Sequence, residues 1–346
     1  MRGVEEVAVA DAVVSDAAGR DAVGSEAAGR DDAWSDDAGS DARAGALVAG
    51  AALLRVHGLA RSFSGVQAVD DVSFDVAPGE TVSIIGPNGS GKSTTMNLLT
   101  GVLRPDAGTV ELDGEDVTRA SQEAINARGV ARTFQNGRVF PALSVRENVF
   151  VGAYARQRAL RPARRLIDVP VLRWVSLLAE LGLALVPTRG VRRALREIDS
   201  ETDAQIGRFG GRLTPRAQDA AYTLSYANRR RTEIARTLVQ HPRLLLLDEP
   251  TAGMNPTETA EVIEQLQQLK SQGQTILLIE HKIDLVMALS DRVLVFDSGR
   301  LIAAGAPADV QNDPRVVRAY LGAGRTRRRA DAADAADAVT AAGGAQ

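Results

Sequence analysis

Residues 86–94 read Gly-Pro-Asn-Gly-Ser-Gly-Lys-Ser-Thr and follow directly on the apolar run Thr81-Val82-Ser83-Ile84-Ile85. This spacing of glycines, lysine and serine is that of a loop that grips polyphosphate through its backbone. Glycine tolerates the turns that aim successive N–H groups at one point, and Lys92 brings positive charge to the β/γ end. Ser93 opens the next helix and offers a hydroxyl to Mg²⁺. Gly86, Pro87, Asn88, Gly89, Ser90, Gly91, Lys92, Ser93 and Thr94 are therefore expected to line a nucleotide site. A serine-rich turn imitates part of this pattern but not all of it between a strand and a helix.

Outward from the loop, Leu54–Leu59 and Val69–Val76 have the short alternation of strands, whereas Thr81–Ile85 is uniformly apolar, as in a sheet buried on both faces. Ser93–Leu99 reads as a helix stopped near Gly101, Gly108–Leu112 as an edge strand ending in an Asp113-Gly114 turn, and Val130–Phe134 as a strand leading into Gln135. From about 144 to 236 the pattern becomes helical and arginine-rich. A mostly helical subdomain is predicted there, with a loop around 187–217. The sheet resumes at Leu244–Leu247. Thr257–Leu269 is a helix with Val262, Ile263, Leu266 and Leu269 along one face, Thr275–Ile279 a buried strand and Ile283–Leu289 a helix. Arg292–Phe296 and Arg300–Ala303 form a hairpin. Strand–helix alternation around a phosphate loop implies an α/β nucleotide-binding domain.

Leu244-Leu245-Leu246-Leu247-Asp248-Glu249 is a second, independent signal. The apolar strand sets Asp248 at its carboxyl end beside the loop, where its carboxylate can orient Mg²⁺ or its water shell. Glu249, one residue on, is aimed at the γ-phosphate and can polarise an attacking water. Paired acids are often a solvated turn, but not usually after four leucines in a chain with a phosphate loop. Gln135, after a strand, could coordinate metal or the lytic water. His281, after Thr275–Ile279, is either a helix-capping residue or a γ-phosphate contact that holds Glu249 and water in register.

Composition narrows the classes. The chain has 346 residues and a net charge of −3, yet residues 1–50 hold 11 acidic and 4 basic side chains, so the remainder is about +4. Residues 11–40 repeat with a ten-residue period poor in large apolar side chains, and 1–50 are expected to be disordered. Residues 323–346 are expected to fray, and Arg325, Arg327, Arg328 and Arg329 beside Asp331, Asp334 and Asp337 make a poor nucleic-acid site. There is no cysteine, which excludes disulfides and thiolate metal sites. The N-terminal stretch lacks a signal-peptide apolar core, and Val169–Pro187 is broken by Arg173 and Glu180, so it is a poor membrane span. A cytosolic-side protein is expected.

Taken together these elements resemble an ATP-binding-cassette transporter ATPase over about residues 53–322. The family order is phosphate loop, glutamine loop, signature, acidic strand end, D-loop and switch histidine. Here it is matched by Gly86–Thr94, Gln135, Leu224-Ser225-Tyr226-Ala227-Asn228, Asp248-Glu249, Ala252-Gly253-Met254-Asn255 and His281. The resemblance narrows, through Gly129–Asn136, Arg230–Arg236, Leu278–His281 and Val317–Gly322, to the larger ATPase subunit of branched-chain amino acid importers. Urea and short-amide importers use closely similar ATPases.

The resemblance implies an α/β fold, a P-loop cassette with a mixed sheet core, an antiparallel β subdomain and a helical subdomain at about 144–236, within a domain spanning 51–322. It implies ATP and Mg²⁺ as cofactors. Ser93, Gln135 and Asp248 would hold the metal, Glu249, His281, Gln135 and Lys92 would act in hydrolysis, and Phe63 would stack on adenine. Ser225 and the Ala227 N–H would serve the nucleotide of an opposing subunit. The implied partners are two membrane permease subunits, a second ATPase subunit and an external solute-binding protein acting through the permease. The implied location is peripheral, on the cytoplasmic face of the cell membrane, with no nucleic acid partner. One departure stands out: Ala227-Asn228 replaces the usual Gly-Gln or Gly-Glu. The added methyl is expected to weaken or reshape the contact with the partner's nucleotide, and a catalytically weak regulatory cassette is an alternative. A non-transport cassette lacks support, since there is one phosphate loop and no coiled-coil insertion. Arg161, Arg164, Arg165, Arg189, Arg192, Arg193 and Arg196 read as a solvated face, an anionic-headgroup contact or a partner-loop contact.

Overall fold

Two sheets organise the residues that the computed structural model describes, which are 52–133, 139–153 and 189–320. The first is antiparallel. β1 (Leu54–Phe63) and β2 (Val66–Val76) turn through Ser64 and Gly65, whose φ angles of 47° and 86° supply the twist of a tight hairpin. β4 (Ala107–Leu112) pairs with β1 on the other side. Its expected edge position is corrected: Asp113 and Gly114, at φ 53° and 78°, reverse the chain so that the two-residue β5 (Glu115–Asp116) covers that edge.

The second sheet contains β3 (Thr81–Ile85), β6 (Val130–Arg132), β7 (Leu244–Asp248), β8 (Thr275–Ile279), β9 (Arg292–Asp297) and β10 (Arg300–Gly305). Its order is β10–β9–β3–β8–β7–β6, parallel from β9 through β6, with β10 antiparallel at one edge. All residues of β3, β7 and β8 are buried. Alternation explains why: Leu244, Leu246, Leu277 and Ile279 pack on the side of the antiparallel sheet, whereas Leu245, Leu247, Ile276 and Leu278 pack against helices. A sheet covered on both faces needs apolar residues at every position.

Helices among the described residues include α1 (Lys92–Leu99), α2 (Gln122–Ala127), α3 (Val145–Gly152), α4 (Arg189–Gly207), α5 (Gly210–Leu213), α6 (Tyr226–Leu238), α7 (Pro256–Ser271), α8 (Ile283–Leu289) and α9 (Pro307–Gln311), and residues 314–320 are helical too. Ser144 and Glu147 close a reciprocal capping box on α3, and Asn255 and Glu258 do the same on α7. The expected loop at 187–217 is corrected. Its described part is α4, 19 residues long, followed by α5 and a turn of 3-10 helix at Thr214–Arg216. The buried stripe of α4 is Ile198, Thr202, Gln205 and Ile206. Two of these four are polar, which hides the helical period; Thr202 is accommodated by returning its hydroxyl to the Ile198 carbonyl at 2.8 Å. The expectations for 1–50, Phe134, Gln135, Arg161, Arg164, Arg165, Val169–Pro187 and 323–346 lie outside the described residues.

Candidate functional site

The phosphate loop joins β3 to α1. Gly86 and Gly91 have φ of 151° and 97°, and a side-chain carbon on either would strike a carbonyl, of Phe296 and of Ala68 respectively. The loop is thus wedged between β9 and β2, and only glycine fits. Lys92 is buried, and its ammonium donates to the carbonyls of Gly86 and Pro87, both at 2.8 Å, with Ser90 Oγ at 3.3 Å. Burial pushes the Lys92 pKa below its ordinary value, against the opposing pull of Glu249 and Asp248. A desolvated cation held by neutral carbonyls gains from an anionic ligand. Asn88, Gly89 and Ser93 are exposed, so the outer rim of the loop is open.

β7 and β8 deliver the acids and the histidine to the same sheet edge, the carboxyl ends of the parallel strands, where open α/β sheets bind ligands. Asp248 Oδ2 accepts from Arg132 at 3.0 Å, and Arg132 is itself tied to Asn97 at 2.8 Å on α1. Asp248 Oδ1 is buried and has no hydrogen-bond partner among the described residues. Glu249 sits at φ 48°, with its N–H on the Ile279 carbonyl at 2.9 Å, which pins the turn to the end of β8. Its carboxylate Oε1 lies 2.9 Å from His281 Nε2. With the carboxylate ionised, that ring nitrogen carries the proton.

Three contributors escaped the reading of the sequence. Glu280, buried at 3% exposure, accepts from Thr251 N and Oγ1 at 3.1 and 2.8 Å and from His281 N at 3.0 Å, clamping the turn after Glu249 to the histidine. Arg230 on α6, buried and paired with Glu233 at 2.6 Å, donates to the carbonyls of Asp248 and Glu249, the latter at 3.2 Å. Arg132 orients Asp248 as described. Apart from the Glu233 pairing three residues along α6 and the Glu280–His281 contact between neighbours, their partners are 18 to 116 residues away in sequence, out of reach of local patterns.

The signature begins at the α6 N-terminus, where Ser225 Oγ accepts from Asn228 N at 3.3 Å. No hydrogen bond among the described residues joins Ser225 or Ala227 to residues 86–94. The Ala227 methyl packs in the helical core cluster with Leu224 and Ile234, turned into the chain. That removes the steric reason for a weakened contact, while N–H groups of the first helical turn remain without intrahelical acceptors. Phe63 lies at the β1–β2 hairpin tip, opposite Val66, with the Arg61 guanidinium 5.0 Å from its ring centre. Gln135 lies outside the described residues.

Among the described residues no three His, Asp or Glu side chains form a cage for a metal. The site does fit a hard cation shared with phosphate oxygens: Asp248 Oδ1 is an orphaned buried carboxylate oxygen, and Ser93 offers an exposed hydroxyl on the loop side.

A glycine loop at a strand end, a buried lysine and an acid–histidine pair on the neighbouring strands define a P-loop nucleotide-binding protein. Comparison with known families refines this. The "ABC transporter" family matches residues 69–252, and the "Branched-chain amino acid ATP-binding cassette transporter" family matches residues 300–326. The "High-affinity branched-chain amino acid transport ATP-binding protein LivG" of Escherichia coli (strain K12) is 40% identical over 271 residues, 78% of this chain and 98% of that protein. BraF of Pseudomonas aeruginosa, with the same description, is 38% identical over the same shares. Among solved structures, the ADP conformation of MJ1267, an ATP-binding cassette of an ABC transporter, aligns at a TM-score of 0.63 with 29% identity, covering 78% of this chain and 99% of that one. A nucleotide-free ATP-binding cassette aligns at 0.62 with 28% identity, covering 78% and 98%. The chain belongs to the ABC transporter family and is an ATP-binding, ATP-hydrolysing cassette. No helix among the described residues is long and apolar enough to cross a membrane.

Proposed function

We propose that this chain is the ATP-hydrolysing subunit of an importer that takes up branched-chain amino acids or a related small solute. The observation that carries the chemistry is the convergence of Lys92, Asp248, Glu249 and His281 on one sheet edge, with His281 2.9 Å from Glu249. The observation that carries the solute class is the family match at residues 300–326, beyond the shared ATPase core.

In this reading the working cassette spans 51–322 and binds ATP through Gly86–Thr94, with Phe63 on the adenine. Lys92 transfers from the carbonyls of Gly86 and Pro87 to the phosphates, where its charge offsets what develops on the γ-phosphoryl oxygens. Mg²⁺, when bound, neutralises phosphate charge, and Ser93, Asp248 and Gln135 are its proposed holders. Glu249 orients water and accepts its proton, while His281 fixes the Glu249 carboxylate and meets the γ-phosphate. Ser225 and the Ala227 N–H serve the nucleotide of a second cassette that closes head to tail, a heterodimer in preference to a homodimer. Closure moves two permease subunits, which receive solute from an external binding protein, with the cassettes on the cytoplasmic face.

Reconstitution with two membrane permease subunits and an external solute-binding protein of the branched-chain importer type tests the proposal. ATP-dependent accumulation of labelled leucine, isoleucine or valine is expected. Accumulation of urea or acetamide instead would reassign the solute, and ATP hydrolysis without any uptake would overturn the importer reading.

A further inference from the structure

We infer that the N-terminal half of α4 is a docking surface for an anionic lipid surface, a contact made by the cassette itself in addition to any permease. Arg189, Arg192, Arg193 and Arg196 recur at intervals of three and four, so they share one face of the helix, and all four are exposed. The buried residues Ile198, Thr202, Gln205 and Ile206 fall on the opposite face. The stripe therefore faces away from the side of α4 that is buried among the described residues.

Charge balance along the helix sharpens the point. In the second half, Asp199 and Asp203 both pair with Arg146 at 2.9 Å. In the first half only Arg193 has a carboxylate, Glu197 at 3.0 Å, while Arg189, Arg192 and Arg196 have none among the described residues. The first turn of α4 holds no acidic residue, so the arginines sit at the end of the helix where the macrodipole disfavours cations. Repulsion within the stripe and with the dipole is relieved by an external anion. Leu195, itself 38% exposed, lies three positions after Arg192 and three before Ile198, at the border between the stripe and the buried face. Guanidinium forks match phosphate oxygens. Four arginines on one exposed helix face, in a family of membrane transporters, form the pattern that anionic lipid headgroups attract, which favours lipid over an acidic protein segment.

The inference rests on the family assignment and is independent of the solute. Its test is sedimentation of the purified full-length chain with phosphatidylcholine vesicles and with vesicles containing phosphatidylglycerol. Preferential binding to the anionic vesicles is expected, weakening as salt shortens the electrostatic range. At about five-fold per arginine, replacing all four with glutamine should lower partitioning on the order of several hundred-fold. A control variant with Arg104, Arg119, Arg216 and Arg318 changed to glutamine has the same net charge, and it should partition within about three-fold of wild type. Circular dichroism and vesicle-free ATPase activity establish that both variants are folded. No anionic preference in the wild type, or equal losses in both variants, would overturn the proposal. So would retained vesicle binding by the stripe variant combined with its loss of association with the permeases in neutral detergent.

Discussion

Replacing Glu280 with alanine should damage the site although Glu280 has no proposed role in holding nucleotide or the lytic water. Its carboxylate is buried at 3% exposure and receives the N–H and hydroxyl of Thr251 and the N–H of His281, at 2.8 to 3.1 Å. Lys282 N, at 3.4 Å, adds little. Hydrogen bonds to a charged acceptor are worth about 1.5–3 kcal/mol each, and a buried donor left unpaired costs about 1–3 kcal/mol. Because these bonds share one carboxylate they do not sum, and Glu280→Ala is expected to destabilise the chain by about 3–5 kcal/mol. Glu280→Gln keeps the shape but turns one oxygen into a donor facing donors, so about 1–3 kcal/mol is expected. The same clamp fixes the backbone on both sides of the Glu249–His281 pair. A displacement of about 1 Å there lowers turnover on the order of 100-fold. Urea unfolding followed by fluorescence gives the first quantity, and single-turnover ATP hydrolysis at saturating nucleotide gives the second. Loss of stability with full turnover would make Glu280 a purely structural residue. A stability change below about 0.5 kcal/mol for the alanine variant would refute the hydrogen-bond network itself.

Arg230 and Glu233 are a fully buried pair, each about 1% exposed, so Arg230→Met alone should cost about 3–5 kcal/mol, and adding Glu233→Leu should recover most of it. A double-mutant cycle in urea measures that coupling. Lys92 has a pKa lowered by burial, and phosphate contact raises it again. ATP binding should therefore take up protons between that lowered value and 10.5, and affinity should fall as pH rises through the window. Calorimetry in buffers of different ionisation enthalpy reads this uptake, which Lys92→Arg should abolish. In the folded chain without nucleotide the sign is opposite: stability rises through the same window, because the unfolded state holds the proton more tightly. Ala227→Gly should change turnover of the assembled transporter by less than about three-fold, since the methyl lies in the core; a rise above about ten-fold would restore the steric reading.

The parts of the fold legible in the sequence are those whose local pattern is also their tertiary environment. β3, β7 and β8 are apolar at every position because both sheet faces are covered, and Gly86–Thr94 announces its own turn. α4 was hidden because Thr202 and Gln205 stand in its buried stripe. Lys92, Asp248, Glu249 and His281 could be named from the sequence, and the sheet order brings them to one edge. The supports could not be named. Arg132 meets Asp248 across 116 residues and Glu280 meets Thr251 across 29, pairings that only the folded chain creates. The inward turn of the Ala227 methyl was equally out of reach, because it depends on how α6 packs against its neighbours.

The central claim is that the Glu249–His281 pair drives hydrolysis that powers uptake. Glu249→Gln, assembled with its permeases and a partner cassette, tests it most directly, by measuring ATP affinity, hydrolysis and leucine accumulation on one preparation. The account predicts ATP affinity within about three-fold of wild type, hydrolysis at this site reduced on the order of 100-fold or more, and accumulation lost in step. Unchanged hydrolysis with unchanged accumulation would contradict it.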